Sequence, residues 1–267
     1  IHSQLGKIFK GDRKYTHTIQ ESLIEIEADI ANPDRSIGLS TGFIELDLMT
    51  LGFHPGEFII IAALPTMGKT CFINNIMINV SIINDVDVML FSLEMPHKQN
   101  IKRILSAESG IPHEELRRGR IHDVNAYRRG LDALNSSKII VYDKASAELS
   151  VIRQEIRKQR NHSDVGLVIV DYIQLVSVPT QGTRELEVAM IGRGLKSIAM
   201  DLNIPVIGVS QLNRATTMTQ NKRPALSNLR ESGALEQDAD EVIFLHREDY
   251  FDENDEGGTM DIIVKKQ

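Results

Sequence analysis

The stretch Glu57-Phe58-Ile59-Ile60-Ile61-Ala62-Ala63-Leu64-Pro65-Thr66-Met67-Gly68-Lys69-Thr70 decides the fold. Its apolar run, Phe58 to Ile61, predicts a strand over Glu57–Ala63 that is buried on both faces, as in a sheet covered by helices on each side. The turn that follows ends in Gly68-Lys69-Thr70 and opens a helical stretch, Lys69–Asn84. Strand, glycine-bearing turn and helix in that order make a phosphate-binding loop, whose amides and helix N-terminus donate to phosphate oxygens. Pro65, Thr66, Met67 and Gly68 then form the cradle, Lys69 brings a positive charge to the outer phosphates, and Thr70 offers a hydroxyl to Mg²⁺. Ala63 stands at the first position of the usual G-x-x-x-x-G-K-[ST] pattern, a departure from it.

Outward from this stretch the chain alternates apolar runs with helical ones, the pattern of an α/β fold with a mostly parallel sheet and helices on both faces. Further strands are predicted at Val88–Ser92, Lys138–Tyr142, Leu167–Asp171, Pro205–Ser210, Glu241–His246 and Met260–Lys265. Helices are predicted at Pro96–Ser109, Asp123–Ser136, Leu149–Arg160 and Glu185–Leu202. The last two strands, joined through the acidic, glycine-bearing turn Asp252–Thr259, read as an antiparallel edge.

Before this domain, residues 1–36 read as a linker region. Ile19, Leu23, Ile26 and Ile30 recur at helical spacing and predict an amphipathic helix over Thr18–Ile30, ended by Asn32-Pro33. The polar, glycine-containing Lys7–Lys14 makes this helix look tethered rather than embedded, with packing on its own domain as the alternative. The chain starts at Ile1 without Met, so a preceding domain of a longer protein is expected.

Composition narrows the rest. A hydrophobic content of 42% over 267 residues is enough for a sizeable core without metal or disulfide staples. The single cysteine, Cys71, excludes an intramolecular disulfide, and no run approaches the roughly 20 apolar residues of a membrane span, so a cytoplasmic setting is expected. A net charge of −7 argues against a surface coated in basic residues for duplex DNA, so any nucleic-acid contact must be local.

Three further side chains stand where strands end, at the edge on which open α/β sheets bind ligands. Asp171 closes Leu167-Val168-Ile169-Val170 and could hold Mg²⁺ through water, or simply cap a loop. Glu94, in Phe91-Ser92-Leu93-Glu94-Met95-Pro96, could orient and deprotonate an attacking water, or serve as a favourable charge at the next helix N-terminus. Gln211 could sense the γ-phosphate. After it, residues 212–230 carry Arg214, Lys222, Arg223 and Arg230 with no Asp or Glu, which suits a mobile nucleic-acid contact or a solvated basic loop.

From Ile37 to Gln267 the sequence resembles the RecA-like motor domain of bacterial and phage DnaB-type replicative helicases. The resemblance rests on Ser40-Thr41-Gly42-Phe43, the phosphate loop, Phe91–Met95, Val170-Asp171-Tyr172-Ile173-Gln174-Leu175, Ser210-Gln211-Leu212-Asn213-Arg214, Leu229-Arg230-Glu231-Ser232-Gly233 and Glu236-Gln237-Asp238-Ala239-Asp240. That family also tends to lack the glycine at the position of Ala63. The resemblance implies ATP and Mg²⁺ at Lys69 and Thr70, Glu94 as catalytic base, Asp171 as metal-side carboxylate, Gln211 as phosphate sensor and Arg103 as a nucleotide contact. It implies contacts of Arg230, Glu231 and Gly233 with the DNA backbone, Glu231 through its main chain. It further implies a homohexameric ring on single-stranded DNA, a linker helix that docks on the adjacent subunit, and a loader and a primase as partners of the full protein. A Lys-x-Arg pattern on the family's final strand acts on the neighbouring subunit's site; Lys266 supplies the lysine, and the arginine is expected immediately after Gln267. The rival readings are a RecA-like ATPase of a recombinase or clock-type branch, and a non-motor nucleotide-binding module or small-molecule kinase. The Arg230–Gly233 block favours the helicase over the first, and the lack of a lid or acceptor pocket disfavours the second.

Overall fold

The computed structural model describes residues 16–32, 37–212, 223–251 and 258–267, and of residues 230–234 the backbone alone. Its elements, in chain order, are α1 (Ile19–Ala31), α2 (Ile44–Thr50), β1 (Phe58–Ala63), α3 (Lys69–Ile83), β2 (Asp87–Ser92), α4 (His97–Ser109), α5 (His113–Arg118) and α6 (Val124–Ser136). There follow β3 (Ile139–Tyr142), β4 (Ala147–Glu148), α7 (Leu149–Arg160), β5 (Val165–Asp171), β6 (Val176–Ser177), α8 (Arg184–Leu202), β7 (Val206–Gln211), α9 (Gly233–Asp238), β8 (Glu241–His246) and β9 (Asp261–Lys266).

Among these residues one seven-stranded sheet runs in the order β3-β2-β5-β7-β1-β8-β9, and β4 pairs with β6 in a separate two-stranded ladder. Every pairing in the large sheet is parallel except β8 with β9, the expected antiparallel edge. All of β1 and β8 and nearly all of β5 and β7 are buried, so the central strands are apolar on both faces. Each fully buried Ile, Phe or Leu there contributes about 1.5–3 kcal/mol of transfer free energy, which makes the sheet a stiff platform for what hangs from its ends.

The Ser40–Phe43 block has a structural meaning. The Asp47 carboxylate accepts from Ser40 Oγ at 2.6 Å, Thr41 N at 2.9 Å and Thr41 Oγ1 at 2.7 Å, which folds the segment onto α2. Asn79 of α3 and Asn84, which caps its C-terminus, bind the main chain of Thr41 and Ser40, so the helix behind the phosphate loop is clamped to this turn. Gly42 has φ +79°, and a Cβ there would stand 2.5 Å from Asn79 Nδ2; a side chain is excluded on both counts.

Helix α1 begins with a reciprocal capping box: Thr18 Oγ1 accepts from Glu21 N at 3.2 Å, and Glu21 Oε2 from Thr18 N at 3.0 Å. None of its residues is buried, and Ile19 and Ile30 are 75% and 74% exposed, so its apolar stripe does not pack into the core of its own chain. Helices α2 and α5 and the β4–β6 ladder were not anticipated. Each is too short for a periodic pattern to emerge from seven residues or fewer.

Candidate active site

The strands β2, β5, β7 and β1 are neighbours, and their carboxyl ends lie side by side: Ser92 is opposite Asp171, Asp171 opposite Val209, and Ala63 opposite Gln211. The sheet therefore brings the Glu94 turn, Asp171, Gln211 and the phosphate loop to one edge. A hydrogen bond from Leu93 N to Asp171 O (2.9 Å) ties the Glu94 turn to the end of β5. Ser92 Oγ donates to Met95 O at 2.7 Å, and the His97 amide and ring both contact Asp143 Oδ2, which fixes the start of α4 beyond it.

In the loop, Thr66 and Gly68 have φ of 65° and 87°, and Met67 is buried beneath them. These left-handed residues turn the chain so that α3 starts at Lys69 with no side-chain cap, leaving its first-turn amides open to an anion. Ala63 is still inside β1 and is not among the residues of positive φ, so its methyl is tolerated where other loops of this kind have glycine. Pro65 is half-buried and Thr66 exposed, with Thr66 Oγ1 bonded to Pro65 O at 2.6 Å; Thr70 is half-buried in the first turn of α3.

Lys69 Nζ donates to Ser210 O at 3.2 Å and lies 5.4 Å from the Tyr172 ring centre. Burial pushes the Lys69 ammonium below its ordinary range, opposed by the Asp171 and Glu94 carboxylates. Burial pushes Asp171 up, opposed by Lys69 and Arg103 and reinforced by Glu94. Lys69, Glu94 and Arg103 thus all act on Asp171, although they are far apart in sequence. Asp171 is only 8% exposed, so its carboxylate is short of solvation and suits a hard cation.

Residues 170–175 contain two side chains to which no role fell from sequence. Tyr172 is the ring beneath Lys69, and Gln174 Nε2 donates to Ser210 Oγ at 2.9 Å and to Gln211 O at 3.4 Å. Arg184 of α8 in turn donates to Gln174 O. The signal for both lay in the quoted block, but only the three-dimensional return of β7 shows what they touch.

At the same edge Arg103 is exposed on α4 and Gln211 is exposed at the end of β7. Arg230 and Glu231 lie in a 3-10 turn, Leu226–Ser232, that runs into α9 at Gly233. Arg214 and Lys222 fall outside the described residues. Arg223 pairs with Asp261 at 2.7 Å and Glu248 at 3.4 Å and lines a groove of about 830 Å³ with Phe43 and Met260, so it is not the free loop cation that sequence suggested. Met260 flanks the phosphate loop at Gly68, which places this groove next to the phosphates' cradle. Lys266 Nζ donates to the carbonyls of Glu236 (2.8 Å), Gln237 (3.4 Å) and Ala239 (2.6 Å), where it caps the end of α9 in its own chain.

Comparison with known proteins agrees with this layout. The replicative DNA helicase DnaC of Bacillus subtilis (strain 168) is 43% identical over 235 residues, covering 86% of this chain and 52% of that protein. The replicative DNA helicase DnaB of Geobacillus stearothermophilus is 41% identical over the same length, again covering 86% of this chain and 52% of that protein. The chain thus spans about half the length of the curated relatives it matches. A DnaB-like replicative helicase, solved in a study of its interactions with primase, superposes with a TM-score of 0.84 at 36% identity, covering 99% of this chain and 65% of that one. A solved ATPase domain superposes with a TM-score of 0.88, also at 36% identity, covering 94% of this chain and 92% of that one. The family model for the DnaB-like helicase C-terminal domain matches residues 38–267, and the chain belongs to that family.

Proposed function

We propose that this chain is the ATP-hydrolysing motor of a replicative DNA helicase, residues 37–267, preceded by a linker region, residues 1–36, that docks its helix on the next subunit of a homohexameric ring. The observation that carries the proposal is the convergence of Lys69, Glu94, Asp171 and Gln211 at the ends of adjacent strands, with Lys69 and Asp171 in each other's field.

In the proposed reaction the ATP phosphates sit on the open amides of α3, and Lys69 turns from Ser210 O to the outer phosphates. Water attacks the γ-phosphorus while the bond to the β–γ bridging oxygen breaks, and that oxygen leaves with the electron pair as ADP. Glu94 takes the water proton as general base. Thr70 and Asp171 would hold Mg²⁺, which supplies charge neutralisation at the phosphates when bound. Arg103 adds positive charge on the same side, and Lys266 serves the neighbouring subunit after leaving the α9 carbonyls.

Gln211 would report the γ-phosphate to the segment that follows β7. Arg230, Gly233 and the main chain of Glu231 would contact the single-stranded DNA backbone there, with Arg214 and Lys222 contributing from the intervening loop. The exposed stripe of α1 supports the ring, because an apolar face with no partner among the described residues suits a contact with a neighbouring subunit. Loader and primase would act on the full-length protein, in the cytoplasm of a bacterium or a phage's host. Unwinding of a forked duplex by the full-length protein tests the proposal: ATP-dependent strand separation supports it, and ATP turnover without separation favours a non-unwinding RecA-like ATPase.

A further inference from the structure

Beside the catalytic edge, α4 and α5 flank an open cavity of about 510 Å³ lined by Lys98, Lys102, Arg103, His113 and Arg117, with no carboxylate in its wall among the described residues. Asp143 is held by His97 at 2.7 Å and Glu114 by Arg118 at 2.5 Å, and Glu94, Glu108 and Glu115, which are near these cations in sequence, form no part of the wall. Among the described residues no carboxylate stands within ion-pair distance of Lys98, Lys102, Arg103 or Arg117. Lys98 and Lys102 are one helical turn apart on α4, a spacing at which like charges repel. The Nδ1 atom of His113 is shielded from solvent and has no hydrogen-bond partner. In a chain of net charge −7, four cations gathered with no ion-pair partner among the described residues, beside an orphaned ring nitrogen, form a site that suits an anion.

We infer that this cavity is a second oxyanion site that takes a phosphate group, distinct from the phosphate loop and adjoining Asp171 through Arg103. The shape selects the ligand class. The site is concave and, among the described residues, offers no Phe, Tyr or Trp face on which a base could stack, so a small tetrahedral anion fits it better than a nucleic-acid strand. Arg103 is the shared wall: it lines the cavity, and its positive charge acts on the Asp171 carboxylate. A phosphate cut from the nucleotide would therefore find the cavity one side chain away from where it is formed. This source rests on the hydrolytic reading above, whereas binding of phosphate itself does not. A phosphorylated small molecule arriving from solution has the same chemistry and is the other source.

The test has two arms. In a Lys69→Met background, which disables the phosphate loop, potassium phosphate is compared with potassium chloride at matched ionic strength by thermal unfolding. Phosphate should raise the midpoint by roughly 2–5 °C at saturating concentration, and adding Lys98→Ala, Lys102→Ala and Arg117→Ala should abolish the rise. No rise, or a rise that survives the triple substitution, overturns the site. These three residues are exposed, so their loss should not unfold the chain, and unchanged circular dichroism checks this. In the second arm the triple variant keeps its intact phosphate loop, and single-turnover cleavage of ATP and release of inorganic phosphate are followed separately. Release altered at least threefold with cleavage unchanged supports product phosphate as the ligand. Unaltered release overturns that source and leaves the solution anion, whereas no cleavage by the unsubstituted protein counts against the hydrolytic reading instead.

Discussion

The ammonium of Lys69 donates a hydrogen bond to the main-chain oxygen of Ser210, 3.2 Å away, so the phosphate loop and the strand ending in Gln211 share a contact. The Ser210 hydroxyl accepts from Gln174 on its other side. Removing the amide in Gln174→Ala should leave β7 intact but its end less well fixed. The expected result is a kcat lower by about 3- to 10-fold with KM for ATP nearly unchanged, the range that one lost hydrogen bond spans. A KM that rises with kcat constant would place Gln174 in nucleotide binding instead.

Glu94 sits on a turn held by Leu93 N to Asp171 O and by Ser92 Oγ to Met95 O, neither of which uses its carboxylate. Glu94→Gln should therefore fold normally and bind ATP as tightly as the parent. Its turnover should fall by roughly 10²- to 10⁴-fold, the usual contribution of a general base. Equilibrium binding of a fluorescent ATP analogue alongside steady-state turnover separates the two effects.

Glu241 begins β8 at the edge of the sheet opposite the phosphate loop, 2% exposed and with Oε2 lacking a partner among the described residues. Burial, then the nearby Glu57 and Asp240 carboxylates, push its carboxyl from 4.5 up to about 8. The folded state thus holds a proton that the unfolded chain releases, and this contribution to stability is full below about 4.5 and lost as pH rises through about 8. The unfolding midpoint should fall between pH 6 and 9, with a loss of roughly 1–3 kcal/mol. Glu241→Gln, neutral throughout, should flatten that slope and exceed the parent at pH 9; an unchanged slope would show that Glu241 is ionised in the fold.

Gly42 should not tolerate alanine. Its left-handed φ and the 2.5 Å approach of Asn79 together predict a destabilisation of roughly 1–3 kcal/mol, read as a lower denaturation midpoint with unchanged m-value. Because Asn79 belongs to the helix behind the phosphate loop, a weaker affinity for ATP should accompany it.

The long elements were legible because their periodicity is strong: Glu241–His246 and Leu149–Arg160 fall at their expected bounds, and the other predicted strands and helices shift by two residues at most. The glycine-bearing turn between β1 and α3 and the position of Asp171 at the end of β5 were legible because an apolar run marks each strand and its end. Lys266 and Arg223 were not, since their partners on α9 and at Asp261 and Glu248 depend on tertiary contacts that no local pattern encodes. The same holds for Gln174, whose acceptor lies 36 residues away along the chain.

The most direct measurement is ATP hydrolysis by the assembled oligomer with and without single-stranded DNA, with assembly followed by light scattering and Glu94→Gln as the control. The account predicts turnover that is stimulated by DNA, appears only in the oligomer and vanishes in Glu94→Gln. Turnover by a monomer that is indifferent to DNA would contradict it.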